Sequence, residues 1–203
     1  LIDSTGLYRC GYEIVHYDSP DPRGIDCALL FRRETCTLVS SSRIPVTGTF
    51  EGDTLLTRDI LLAQLVTAEG DSLAVLVNHH PSKYGGGRQW RRELAVERLK
   101  AVSDSLETAG WQKRLALGDF NDSPDNPLYN TLAPSLWSLS KDCHRGSIRF
   151  NGNWELIDLA FASPQIAPRC SFDVCRIPFL MVKDSAHSGE KPLRTYSGPR
   201  YLG

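Results

Sequence analysis

Two apolar runs, Ile60–Thr67 and Leu73–Asn78, are separated only by Ala68-Glu-Gly-Asp-Ser72, and this constrains the chain more than any other feature. Runs this short, rich in leucine and valine, read as strands, and a brief linker holding Gly70 predicts a hairpin turn between them. One helical stripe follows. Ala95, Leu99, Val102 and Leu106 recur at spacings of four, three and four, which places them on a single helix face. Gly110 stands where a C-terminal cap belongs. A short strand over Arg114–Leu117 comes next.

The remaining segments are also strand-rich. Tyr12–Tyr17, Ile25–Phe31, Thr35–Val46, Leu156–Ala162 and Ser171–Ile177 all read as strands. Ile25–Phe31 is nearly continuously apolar, which predicts a central strand covered on both faces. Phe150-Asn-Gly-Asn-Trp154 predicts a hairpin turn joining two short strands. A second, shorter helix is expected from near Asp125, with Pro127 in its first turn. Many strands, few helices and several hairpins predict an α/β sandwich of mixed sheets rather than a doubly wound sheet.

A length of 203 residues suits one domain over 1–203. Net charge is −1, so no large non-specific nucleic-acid footprint is expected, and attraction to polyanions must come from a local patch. No apolar run is long enough to span a bilayer. The six cysteines, at 10, 27, 36, 143, 170 and 175, include no C-x-x-C pair, which argues against a zinc ribbon or a thioredoxin-like centre. Cys27 reads as a small core residue. Cys170 with Cys175, or Cys27 with Cys36, are the disulfide candidates near in sequence. The compartment stays open, a secreted or periplasmic one included.

Chemistry-bearing residues gather where strands begin or end. The clusters are Ser19-Pro-Asp-Pro-Arg-Gly-Ile-Asp26, Val77-Asn-His-His-Pro-Ser82, Gly118-Asp-Phe-Asn-Asp122 and Glu155-Leu-Ile-Asp158. Rigid strands hold such groups while loops leave them accessible. Strand alternation would put Asp119 and Asn121 on one face and Phe120 in the core. The carboxylate suits a hard cation or a water proton, and the amide can donate to an anionic oxygen. Gly118 would let a ligand come close. The plainer alternative is an Asx-rich turn ending a strand. His79 and His80 must face opposite ways, which excludes a His–His zinc pair, with Val77 beside His79 and Asn78 beside His80. Asp158 interrupts an apolar strand and needs a partner if buried, either a histidine or an arginine. Lys83-Tyr-Gly-Gly-Gly-Arg-Gln-Trp-Arg-Arg92 is either a flexible basic loop or an anion-attracting rim, and it lacks a Walker A ending.

Taken in order, these clusters resemble the endonuclease/exonuclease/phosphatase superfamily with its DNase I-like fold, in a bacterial form. The segments carrying the likeness are 16–34, 57–62, 76–87, 115–122, 154–163 and 191–203. The resemblance implies a four-layer α/β sandwich, two mixed β-sheets flanked by helices. It implies hydrolysis of a phosphate ester by an activated water with Mg²⁺ or Mn²⁺, on a substrate that extends to nucleic acid. The alternative is a non-catalytic phosphate-binding domain on the same fold. Carried over by residue, Asp119 positions or deprotonates the water, and Asn121 contacts phosphate and orients Asp119. His79 donates to a phosphate oxygen. Asp158 orients a second histidine, and Asp26 orients His79. Asp119 and Asn121 are the expected metal ligands, and Arg23, Asn78, Lys83 and Arg88 the expected substrate-binding residues. The family's first strand, with its metal-binding glutamate, and its Ser-Asp-His segment are both absent here. The sequence therefore reads as an internal piece of the domain. No protein partner is evident.

Overall fold

The computed structural model describes residues 5–83, 88–193, 196–197 and 200–201. In chain order its strands and helix begin with β1 (Tyr12–His16) and β2 (Ala28–Arg32), an antiparallel ribbon. Then come β3 (Cys36–Ile44), the small hairpin β4 (Gly48–Phe50) and β5 (Asp53–Leu55), β6 (Ile60–Thr67), and β7 (Ser72–His79). Helix α1 (Gln89–Thr108) leads to β8 (Lys113–Asp119) and β9 (Trp137–Ser138). The hairpin β10 (Ile148–Phe150) and β11 (Asn153–Glu155) precedes β12 (Asp158–Ala162). A last described ribbon with side chains pairs β13 (Met181–Lys183) with β14 (Glu190–Pro192).

Six strands form one mixed sheet in the order β3-β6-β7-β8-β12-β9. The α/β class and mixed sheet are as expected. The helical layer is lighter than the sandwich description implies, with α1 as the one α-helix among the described residues. The expected helix near Asp125 is a 3-10 segment at Pro127–Leu132, capped by the Asn126 side chain accepting from the Leu128 N–H.

Burial explains the layering. Leu62, Ala74, Leu76, Ala116 and Phe161 face α1, where Ala95, Val96, Leu99 and Leu106 meet them. Leu61, Ala63, Leu65 and Val75 point the other way, onto Val15 and Phe31 of the β1–β2 ribbon and onto Cys27, which leads into β2. The strands covered on both faces are therefore β6, where Ile60, Leu61, Leu62 and Ala63 are all buried, and β7, where Ala74, Val75 and Leu76 are. Ile25–Phe31 is not such a strand. It becomes extended only at Ala28 and lies in a two-stranded ribbon with one face inward.

Turn chemistry behaves as its residues dictate. Gly110, at φ +91°, closes α1, and the Trp111 N–H reaches back to the Leu106 carbonyl. Asn151 and Gly152, both at positive φ, make the two-residue turn between β10 and β11. Ser171–Ile177 is not a strand. Among the described residues no strand pairs with it, and it is tied down by Arg145 on Asp173 and on the Val174 carbonyl. All six cysteines are free thiols, with Cys27 buried as expected and its thiol pushed up to about 11 by burial. No helix among the described residues is long and apolar enough to cross a membrane.

Candidate active site

The pairing of β7 with β8 decides where the chemistry sits. The two strands are joined through α1 and run parallel, so their C-terminal ends emerge at the same sheet edge. In that register His79 is the partner of Asp119. β12 runs antiparallel to β8, and its first residue, Asp158, falls opposite Asp119. Three adjacent strands thus deliver an imidazole and two carboxylates to one spot.

His79 Nε2 lies 3.6 Å from Asp119 Oδ2, with both side chains about 30 % exposed (29 % and 30 %), so the pair is open to a ligand yet partly desolvated. Burial drives the Asp119 carboxyl up to about 6. The Asn121 N–H and the Arg58 charge oppose that rise, and Asp158 adds to it. Burial pushes His79 the other way, down to about 4, assisted by Arg58 and Arg23 and opposed by Asp21. At neutral pH the imidazole is therefore uncharged and holds one N–H to donate.

Strand alternation does not orient Asn121. The strand ends at Asp119, and Asn121 adopts φ +52°. Its N–H donates to Asp119 Oδ1 at 2.8 Å, an Asx turn, and its Nδ2 donates to the His80 carbonyl at 2.9 Å. The turn reading and the functional reading are thus one arrangement, since the turn fixes Asn121 beside Asp119. Phe120 is fully buried, packed on His80, Tyr129 and Phe161. Gly118 has a different reason from the one expected. At φ +136°, a Cβ there would stand 2.0 Å from the Asn78 carbonyl oxygen, so it is the neighbouring backbone of β7, not a ligand, that comes close.

Other expected residues part company with the site. Asn78 is 2 % exposed, bonded to the Leu76 carbonyl and the His80 ring, and so is turned away from any substrate. His80 is equally buried, beneath the cleft rather than in its wall. Asp26 accepts from the Ser19 N–H and hydroxyl and lies 3.5 Å from His16, and no contact joins it to His79. Arg88 pairs with Asp53 beside Phe50 and Trp90. The Arg23 side chain is exposed, bonded to Asp21, and close enough to affect His79. Lys83 pairs with buried Asp122 and lines a cavity that also reaches Asn121. Tyr84–Gly87 of the basic loop lie outside the described residues.

Arg58 lies in segment 57–62, one of those that carry the family likeness, but no role for it was legible in the sequence. It is 5 % exposed and donates to Asp21 Oδ2 at 2.9 Å and to the His80 carbonyl at 2.6 Å. Burial alone would raise the Asp21 carboxyl, but bonds from Arg23 and Arg58 hold it well below the usual range. Apart from that likeness, the sequence signal was an arginine and an aspartate set immediately before the wholly apolar start of β6. Nothing in the spacing linked Arg58 to Asp21, 37 positions away.

A model of the Endonuclease/Exonuclease/phosphatase family matches residues 1–203. The chain belongs to this family. Solved structures with the same fold include the catalytic domain of human Nocturnin, crystallised with sulfate, at 22 % identity and TM-score 0.58 over 78 % of this chain and 63 % of that one. A mannosyl-6-phosphatase of Bacteroides thetaiotaomicron aligns at 18 % identity and TM-score 0.62, over 76 % of this chain and 63 % of its own. ANGEL2, described as a 2′,3′-cyclic phosphatase, aligns at 14 % identity and TM-score 0.60, over 80 % and 65 %. The chain thus spans less than two thirds of the length of each. No curated protein matches it.

The donor set suits the hard divalent cation that the family implies. Asp158 stands opposite Asp119, and its charge adds to the rise of the Asp119 carboxyl, a cost that a cation between them would relieve. Asn121, with its Nδ2 committed to His80, leaves its oxygen as an acceptor. Among the described residues the group of histidines and acids whose ligand atoms all lie within 4.8 Å of one another is a different one, His16, Asp18 and Asp26. It lies on the β1–β2 side of the molecule, and its Asp26 is already bonded to Ser19.

Proposed function

We propose that the chain is the catalytic part of a divalent-metal-dependent phosphoesterase. The observation that carries this reading is the His79–Asp119 pair, 3.6 Å apart on parallel strand ends, with Asn121 hydrogen-bonded to both the Asp119 carboxylate and the His80 carbonyl. These residue types meet the needs of in-line attack on phosphorus. Charge grows on the non-bridging and leaving oxygens, while the attacking water must lose a proton.

Asp119 takes that proton. Its raised value keeps it basic enough to be useful, yet ionised in most molecules at pH 7. As the water oxygen bonds to phosphorus, the ester P–O bond breaks and the leaving oxygen takes a proton from solvent. Neutral His79 donates its N–H to a non-bridging oxygen. Asn121 holds the Asp119 carboxylate in place through its backbone N–H. Arg58 anchors the His80 carbonyl from below, and burial, assisted by the charges of Arg58 and Arg23, keeps His79 neutral. Mg²⁺ or Mn²⁺ held by Asp119, Asn121 and Asp158 would polarise the phosphoryl group and acidify bound water.

The test is hydrolysis of a bis-aryl phosphodiester and of the matching monoester, with Mn²⁺, with chelator, and in Asp119→Ala. Chelator-sensitive turnover that disappears in Asp119→Ala supports the reading, and the diester-to-monoester ratio separates nuclease-like from phosphatase-like chemistry. Turnover that survives the substitution overturns it. Phosphate binding without turnover would favour a non-catalytic domain on this fold.

A further inference from the structure

Where β1 leaves its ribbon, three metal-ligating side chains converge. The last pair of the β1–β2 ladder is His16 with Ala28. The ladder stops there, but the same register carried two residues further would set Asp18 opposite Asp26. Side chains alternate along a strand, so His16, Asp18 and Asp26 fall on one face, with Val15 and Cys27 on the buried one. One ring nitrogen of His16 and one oxygen each of Asp18 and Asp26 lie within 4.8 Å of one another.

The neighbours orient these groups and leave their ligand atoms free. Asp26 Oδ1 accepts from the Ser19 N–H at 2.8 Å and from its hydroxyl at 2.7 Å, which leaves Oδ2 turned to His16. Such outer bonds are what hold a metal-binding carboxylate in place. His16 Nε2 lies 3.5 Å from that oxygen, long for a hydrogen bond. The separation instead matches the edge of a tetrahedron around zinc, roughly 3.4 Å for ligands at about 2.0–2.1 Å. The backbone of Asp18 is fixed as well. Its carbonyl accepts from Arg43 at 2.9 Å, and the hydroxyl of adjacent Tyr17 donates to the Ser41 carbonyl at 3.1 Å.

A buried charge beside them points the same way. Asp59 is 5 % exposed, and its contacts are long, the Val46 N–H at 3.4 Å and Arg43 at 3.6 Å. Burial raises its carboxyl, the Val46 N–H and Arg43 oppose the rise, and Asp26 adds to it. Negative charge thus gathers about Asp26 beyond what Arg43 offsets, and a cation there would relieve it.

We propose that His16, Asp18 and Asp26 form a second divalent-metal site, apart from Asp119, and that its cation is zinc. An imidazole with two carboxylates favours a borderline first-row ion over Mg²⁺ or Ca²⁺, which take oxygen donors. Three protein ligands leave one position for water. The metal ties together the two ends of the loop over 17–27. That loop carries Asp21, the partner of Arg58 beneath the His80 carbonyl. Zinc binding here does not depend on the phosphoesterase reading.

The experiment titrates chelator-stripped protein, its exposed thiols alkylated, with Zn²⁺ by calorimetry in excess Mg²⁺, which fills hard-donor sites. The parent should bind one Zn²⁺ and shift the His16 ring signals in NMR. His16→Gln and Asp18→Asn should each weaken binding at least tenfold, since even outer partners of a ligand cost that much. Asp18 is exposed, so its substitution leaves the fold intact. Asp119→Ala should bind Zn²⁺ as the parent does. At a hundredfold excess over Kd, Zn²⁺ should raise the parent's Tm by roughly 5–10 °C, and that of Asp18→Asn at the same concentration by about half or less. Absence of Zn²⁺ binding, binding that either His16→Gln or Asp18→Asn leaves intact, or binding that Asp119→Ala removes overturns the proposal.

Discussion

Asp158 lies directly across from Asp119 in the β8–β12 ladder, so two carboxylates share one face at the rim of the sheet. Directly opposed side chains in an antiparallel pair approach to roughly 5 Å between Cβ atoms, and like charges there repel. The Asp158 charge is one of the causes that raise Asp119, after burial. Asp158→Asn should therefore lower the Asp119 carboxyl from about 6, read by carbon NMR of the carboxyl in chelated protein. An unmoved titration would mean that burial alone sets it. The substitution should also weaken Mn²⁺ binding, because one hard oxygen donor loses its charge.

Removing the Asp119 charge should change stability in a pH-dependent way. A carboxyl whose folded value is raised contributes stability below its unfolded value near 3.8, and that contribution is lost as pH rises through about 6. Asp119→Asn cannot titrate. In chelated protein it should gain on the parent between pH 4 and pH 6, by about 2 kcal/mol, and stay level above that. Urea denaturation at a series of pH values measures this. A constant difference between parent and variant across pH would refute it.

Arg58 ties three things together: the Asp21 loop, the His80 carbonyl and, through that shared carbonyl, Asn121. Arg58→Met should destabilise the protein by about 3 kcal/mol, since it strips a buried carboxylate of one partner. It should also raise the His79 titration above about 4, because the positive charge of Arg58 helps to hold it down. Proton NMR of the His79 ring would show this. A destabilised variant with an unaltered His79 would leave Arg58 a purely structural role.

Gly118 and Gly70 make a matched comparison. Both sit at positive φ, but only at Gly118 would a Cβ collide, at 2.0 Å from a carbonyl oxygen, while nothing lies within 4 Å at Gly70. Gly70→Ala should cost about 1–2 kcal/mol, the left-handed backbone alone. Gly118→Ala should cost about 4 kcal/mol or more and part β7 from β8, with turnover lost. Similar denaturation midpoints for the two variants would contradict the close approach.

Much of this was readable from local pattern. The hairpin at Gly70, the α1 stripe, the Gly110 cap and the Asn151-Gly152 turn each depend on residues within a few positions of one another, where periodicity and backbone preference act. Composition could not tell a one-faced apolar run from a two-faced one. Ile25–Phe31 and Ile60–Ala63 look alike in sequence, and only what packs against them separates the β1–β2 ribbon from the centre of the sheet.

The sequence by itself determined which chemical groups stand at strand ends: an imidazole at His79, carboxylates at Asp119 and Asp158, an amide at Asn121. Tertiary structure alone decided which of them meet. Parallel pairing through α1 sets His79 beside Asp119, and antiparallel pairing sets Asp158 opposite. The same packing turns Asn78 inward, gives Asp26 to Ser19 rather than His79, and brings Arg58 from 22 positions away onto the His80 carbonyl. Register and crossover are fixed by burial summed over whole strands, a non-local quantity that no short motif carries.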